Sequence, residues 1–117
     1  RRSFIHITDV DDATMRVAEA GRIGEDYHIS TTELVSIRDL VSKVFKICGK
    51  EFDADRSSAE DRPGKDAGYF LGSEKLTREL NWSTRIELQD GLADVHEWVL
   101  ANRELFDTLP WEYKHRK

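Results

Sequence analysis

At 117 residues the chain has the length of one domain, and with 38% hydrophobic and 35% charged residues it is neither disorder-like nor fibrous. Eighteen Lys plus Arg against 23 Asp plus Glu leave a net charge of −5, which disfavours a general nucleic-acid binder, whose affinity depends on replacing phosphate counterions with positive charge. The single cysteine excludes an intrachain disulfide framework, and no apolar run reaches membrane-spanning length, so the expectation is a cytoplasmic domain with neither nucleic acid nor membrane as partner.

The chain begins Arg1-Arg2-Ser3 with no methionine, and an apolar run follows at once, as expected of a piece cut from something longer. Phe4 to Ile7 is rich in β-formers and reads as a short strand. Thr8 is then a hydroxyl N-cap for a helix over 9–20, with Asp9, Asp11 and Asp12 at its positive end and Val10, Ala13, Val17 and Ala18 near one face. Tyr27-His28-Ile29 reads as a second strand. The clearest helix follows: Ser36 caps it, Asp39 stands three positions on, an apolar stripe runs from Ile37 to Cys48 at the 3.6-residue period, and Gly49 closes it. Cys48, on that stripe, is expected to pack as a core residue rather than act as a nucleophile.

Residues 52–55 alternate as a third, weaker strand would. Residues 56–68 are polar and carry Pro63, Gly64 and Gly68, a loop of a length that is often functional. A short extended piece at Tyr69-Phe70-Leu71 leads to Ser73, expected to cap a helix over 74–80 with Leu76 and Leu80 inward and Trp82 packed at its end. Thr84 and Glu87 have the spacing of a capping box that opens a last helix over about 85–104, with Leu88, Leu92, Val95, Trp98 and Val99 on its apolar side and Gly91 as a mild weakness. The order β-α-β-α-(β)-loop-α-α predicts an α/β or small α+β unit with short strands and about four helices, one domain over 1–117.

Motifs for familiar chemistry are few. No G-x-G-x-x-G follows a strand, and His6, His28, His96 and His115 lack ligand spacing, so no metal site is expected. The informative stretch is Asp61-Arg62-Pro63-Gly64-Lys65-Asp66. An arginine on a backbone stiffened by proline presents its fork for bidentate contact with phosphate oxygens, and Lys65 adds a point charge. The other reading is a solvated loop in which Arg62 pairs with a neighbouring aspartate.

Taken together, the segments resemble a known family. Arg2-Ser3-Phe4-Ile5-His6-Ile7-Thr8-Asp9-Val10 is similar to the R-x-F/W-x-x-V-x-D-V/H segment of the extended short-chain dehydrogenases/reductases, the NAD-dependent epimerase/dehydratase superfamily. Tyr27-His28-Ile29 resembles the Y-N-I strand, and Ser36-Ile37-x-x-Leu40 the helix start that follows it. Asp61-Arg62-Pro63-Gly64-x-Asp66, Tyr69 and the run Ser73 to Trp82 resemble R-P-G-H-D-x-x-Y and K-x-x-x-E-L-G-W, and Gly91-Leu92 with Trp98 resembles the G-L-x-x-x-x-x-W helix. The D-R-P-G-x-D form is most like that of thymidine-diphosphate-glucose 4,6-dehydratases. The resemblance implies the C-terminal, substrate-binding part of an α/β enzyme. NAD and the catalytic Y-x-x-x-K pair would belong to an N-terminal Rossmann domain, so this part alone would bind no NAD and hold no catalytic residue. It implies diphosphate contacts for Arg2 and Arg62, places near the nucleotide for Ser36 and Lys65, and a place near the ligand for Tyr69. His28, Lys65 and Asn81 depart from the family's Asn, His and Gly; Asn81 suits a left-handed position. The alternatives are an epimerase or decarboxylase of the same superfamily, or a non-catalytic α/β interaction module.

Overall fold

The computed structural model describes residues 1–53, 68 and 70–110. Five helices follow in order: α1 (Ile7–Ala20), α2 (Ile37–Ile47), α3 (Glu74–Leu80), α4 (Leu88–Ala101) and the short α5 (Arg103–Asp107). They pack as two pairs, α1 against α3 and α2 against α4.

Among the described residues the expected strands do not form. The only β pairing is one antiparallel bridge between Arg2 and Val35. Ile7, expected to end a strand, opens α1 instead, and residues 27–29, 51–53 and 70–71 lie outside any helix or strand. Composition set those β expectations, but a β-rich segment becomes a strand only beside a partner backbone. Residues 54–55, the end of the weak third strand, lie outside the described residues, as do most of the polar loop and Tyr69.

Helix starts depart from the hydroxyl-cap pattern at three of four places. The cap of α1 is His6, whose Nδ1 accepts the Thr8 N–H at 3.4 Å, two residues ahead of the expected start. Ser73 occupies the cap position of α3 but makes no side-chain cap bond; its hydroxyl donates to the Ser30 carbonyl at 3.1 Å. The Thr84–Glu87 capping box does not form either. The Arg85 and Ile86 amides both donate to Asp9 Oδ2 at 3.0 Å, so Glu87 becomes the cap residue and α4 begins at Leu88. Helix α2 follows its expected bounds. Ser36 Oγ accepts the Asp39 N–H at 3.0 Å, and at the other end Gly49 (φ 66°) closes a Schellman turn through Lys50 N–H to Phe45 O and Gly49 N–H to Lys46 O. The last helix breaks at Asn102, whose backbone and side-chain N–H groups both return to the Trp98 carbonyl.

The core lies between α1 and α3. Ala13, Leu76 and Trp82 are fully buried, with Ile5, Val17, Tyr27, Ile29 and Leu80 packed around them. Ala18, expected on the inward face, is exposed. Burying an indole of this size contributes about 5 kcal/mol of transfer free energy, and Trp82 Nε1–H donates to the Asp9 carbonyl at 3.2 Å, so burial leaves no orphan donor. Asn81 ends α3 in the left-handed conformation (φ 50°), as its type allows, and Arg16 from α1 donates to the Leu80 and Asn81 carbonyls. The α2–α4 pair is different in kind: no residue of α2 is buried, and Val95, Trp98 and Val99 on α4 are exposed. Cys48 is also exposed, which corrects its expected core position; the stripe that carries it has no cover at that end.

Candidate functional site

Of the five residues singled out as candidates, Arg2 and Ser36 are described; Arg62, Lys65 and Tyr69 lie outside the described residues. The structure brings Arg2 and Ser36 together through the backbone. Arg2 and Val35 exchange both main-chain hydrogen bonds, each 2.9 Å, and Val35 is buried, so Arg2 is fixed beside the residue that precedes the α2 cap. Ser36 is occupied as a cap: besides accepting the Asp39 amide, its hydroxyl donates to Asp39 Oδ2 at 2.6 Å. Its side chain serves the helix, and what it presents at this edge is the start of α2.

A third strand of chain reaches the same place. Gly68 lies beside Arg1: a Cβ there would be in van der Waals contact, 3.8 Å from both the Arg1 terminal nitrogen and its carbonyl oxygen. Gly68 ends the polar loop that carries Arg62 and Lys65 and directly precedes Tyr69. Arg2, the α2 start and the end of that loop therefore converge at one edge. The next residue is pinned as well: Ser3 Oγ and Ser30 Oγ are 3.0 Å apart, and the Ser73 hydroxyl holds the Ser30 carbonyl. A small cavity of about 120 Å³, edged by Thr31, Thr32, Glu33, Thr84 and Glu87, borders the following residues, Phe4 and Ile5.

The far end of this N-terminal segment borders a larger groove of about 320 Å³, walled by Phe4, Ile7, Leu40, Leu88, Leu92 and Val95. His6 sits at its edge. Its Nε2 lies 3.0 Å from Asp94 Oδ2, and Gly91 approaches so closely that a Cβ would stand 3.2 Å from His6 Cδ2.

Perturbed ionisation is concentrated elsewhere, on the α1–α3 side. Partial burial raises the Glu79 carboxyl, but the Tyr27 hydroxyl at 3.0 Å and the Arg22 guanidinium at 2.7 Å outweigh it and hold the group below its ordinary range. Asp12 is likewise raised by burial and lowered further by Arg16 (3.0 Å) and Arg85 (2.8 Å). A hydrogen bond from Lys75 at 2.7 Å lowers Glu25. These are structural ion pairs joining α1 and residues 22–27 to neighbouring elements. Among the described residues no serine or cysteine bonds a histidine, and no cluster of three metal-ligating side chains occurs. Nor is any described helix long and apolar enough to cross a membrane.

Four residues of this arrangement escaped sequence reasoning. Gly91 carried the one usable signal, since a glycine inside a helix often marks close approach of another group. Asp9 reads as an ordinary dipole residue until its partners, 76 and 77 positions away, are known. His6 and Asp94, 88 positions apart, carry no local signal at all.

No protein-family model matches the chain. It is 38% identical over 110 residues to a dTDP-glucose 4,6-dehydratase of Streptomyces niveus, covering 93% of this chain and 32% of that protein. It is 32% identical over 103 residues to a trifunctional UDP-glucose 4,6-dehydratase/3,5-epimerase/reductase of Arabidopsis thaliana, covering 88% of this chain and 15% of that one. Among solved structures it superposes on the Bordetella bronchiseptica enzyme WbmF in complex with NAD+ and UDP, with TM-score 0.77, 33% identity, and coverage of 91% of this chain and 31% of that one. A dTDP-glucose 4,6-dehydratase of Bacillus anthracis in complex with NAD matches with TM-score 0.75 and 25% identity, over 87% of this chain and 32% of that one. The chain thus spans about a third of most of these relatives. Sequence and structure agree that the chain is similar to the extended short-chain dehydrogenases/reductases, the NAD-dependent epimerases and dehydratases, and among them to the dTDP-glucose 4,6-dehydratases.

Proposed function

We propose that these residues are the C-terminal, substrate-binding part of an NAD-dependent sugar-nucleotide 4,6-dehydratase of the dTDP-glucose type, acting in carbohydrate biosynthesis in the cytoplasm. The observation that carries the reading is the convergence of Arg2, the α2 start and the end of the Arg62 loop at one edge. In this proposal the guanidiniums of Arg2 and Arg62 meet the two negative charges of a sugar nucleotide's diphosphate, and charge-assisted contacts of this kind are the strong ones. In this reading Arg2 and Arg62 hold the diphosphate, the segment capped by Ser36 and the side chain of Lys65 border the nucleotide, and Tyr69 stands near the ligand. The partner is an N-terminal Rossmann domain, which makes the whole protein α/β.

The residues in hand do not fit NAD. The sequence has no glycine-rich turn after a strand to cradle the dinucleotide's pyrophosphate. The dinucleotide, which would take hydride from the hexose and return it, belongs in this proposal to the Rossmann portion. What this chain contributes is binding and orientation of the sugar nucleotide.

The test is isothermal calorimetry of the complete protein with dTDP and with UDP. The wild type binds one of them, and Arg62→Ala and Arg2→Ala each weaken it by about tenfold or more, the loss expected for a charge-assisted contact. Unchanged affinity in both variants rejects the site. Uridine is the second reading for the base, favoured by His28 and Lys65 at two positions where the family pattern differs and by the likeness to WbmF, solved with UDP; tighter UDP binding decides for it.

A further inference from the structure

We propose that His6 is a positioning residue for the diphosphate site: locked against Gly91 and Asp94 of α4, it holds the segment whose other end is Arg2. The inference rests on the role given to Arg2 above and adds the device that keeps Arg2 in place.

The segment from Arg2 to His6 belongs to no helix or strand, and His6 itself is extended (φ −71°, ψ 143°). It is attached at both ends. At one end Arg2 exchanges two backbone bonds with Val35. At the other, the His6 ring is held on three sides. Its Nδ1 accepts the Thr8 amide at 3.4 Å, so the ring proton stands on Nε2 and is donated to Asp94 Oδ2 at 3.0 Å. The ring edge rests on buried Gly91, where any side chain would stand 3.2 Å from Cδ2. The His6 side chain is 10% exposed, against 68% for Asp94.

Each contact has a distinct consequence. The cap fixes where α1 begins and so how far back the segment extends. The Asp94 bond and the Gly91 seat fix the segment across α4. Between the anchors, Phe4 and Ile5 line the two cavities, Ile5 also touches the α1–α3 core, and Ser3 makes one side-chain bond, to Ser30. With His6 released, the segment loses its attachment to α4, and the two-bond bridge at its Arg2 end is expected to open more often. Gly91 then has a stated purpose: in a helix interior it is less favourable than alanine, and here it makes room for the imidazole.

The experiment uses the complete protein and two readouts. The first needs no ligand: hydrogen exchange at the Arg2 and Val35 amides. His6→Ala is expected to speed exchange at both by about fivefold, the effect of losing a helix cap, while Arg22→Ala, which breaks an ion pair on the α1–α3 side, leaves both unchanged. The second is calorimetry with dTDP and UDP. His6→Ala weakens binding by about fivefold, and the Arg2→Ala/His6→Ala double variant binds no more weakly than Arg2→Ala alone, because His6 acts only through Arg2. Should His6→Ala fail to fold, Asp94→Ala, at an exposed position, removes one contact and is expected to show the same two effects at about twofold. Unchanged exchange at Arg2 and Val35 overturns the proposal whatever the ligand does. Faster exchange with unchanged affinity, or additive losses in the double variant, overturns the link to the site. Absence of diphosphate binding in the wild type instead rejects the function proposed above, with the exchange result still deciding whether His6 holds the segment.

Discussion

The two helix pairs are built from similar sequence patterns and reach opposite ends of the burial scale. Helix α1 carries a broken apolar face, yet with α3 it encloses Ala13, Leu76 and Trp82 completely. Helix α2 carries the cleanest stripe in the chain, yet none of its residues is buried, and its partner α4 leaves Val95 and Trp98 half exposed above an open groove. What separates the pairs is polar closure. Around α1 and α3, Arg16 closes the α3 carbonyls, Asp9 closes two amides ahead of α4, and Glu79 gathers Arg22 and Tyr27. The α2–α4 pair has no comparable frame; its best polar contact across elements is His6 with Asp94 at the groove edge. An amphipathic period states that a face is to be covered; the polar groups around it determine whether the cover is already in place.

Substitutions break or sharpen this contrast. Trp82→Ala strikes the closed half and is expected to cost about 3–5 kcal/mol in denaturant unfolding, from the lost indole and the cavity left behind; a loss below about 1 kcal/mol would show that the closed half is no true core. Glu79→Gln tests the polar frame through pH. Because the folded Glu79 carboxyl lies below its ordinary value of 4.5, its contribution is complete above that value and fades as pH falls through the lower folded-state value. The variant should be less stable than wild type near neutrality, and the gap should close in acid below 4.5. A gap of constant size across that range would rule out the carboxylate as the source. Glu25, lowered by Lys75, acts with the same sign, so Glu25→Gln shows a weaker version of the same trend. Val95→Ser on the open half is expected to change stability by no more than about 0.5 kcal/mol, as exposed substitutions do. A larger loss would mean that the groove is packed in solution and the contrast smaller than it looks.

Much of the helical content was legible in the sequence, and for sound reasons. Helix α2 has every local signal, from the Ser36–Asp39 cap to the Gly49 turn, and forms within those bounds. Trp82 and Asn81 also take the places their chemistry suggests. The failures share a cause: each depends on a partner far along the chain. Thr84 and Glu87 have ideal capping-box spacing, but Asp9 arrives from the other end and takes the amides. Phe4 to Ile7 has strand composition, but among the described residues no second strand lies beside it, and His6 caps a helix instead. At the site, the alliance of Arg2 with the α2 start could be suspected only from the family resemblance, since nothing in residues 1–3 announces Val35 as a neighbour. Arg62, Lys65 and Tyr69 lie outside the described residues, and their part in the site stands on that resemblance together with the position of Gly68.

The bonds from Asp9 to Arg85 and Ile86 have a consequence for how the site loop can change. They close a circuit of 76 residues, and the whole stretch 56–68 lies inside it. The entropy of closing a circuit grows only with the logarithm of its length, so ten further residues added to that stretch would weaken the closure by about 0.1 kcal/mol. The fold is thus nearly indifferent to the length of the loop that carries Arg62. Under the proposed function, a library varying that loop's length is a practical route to changing ligand choice without rebuilding the scaffold.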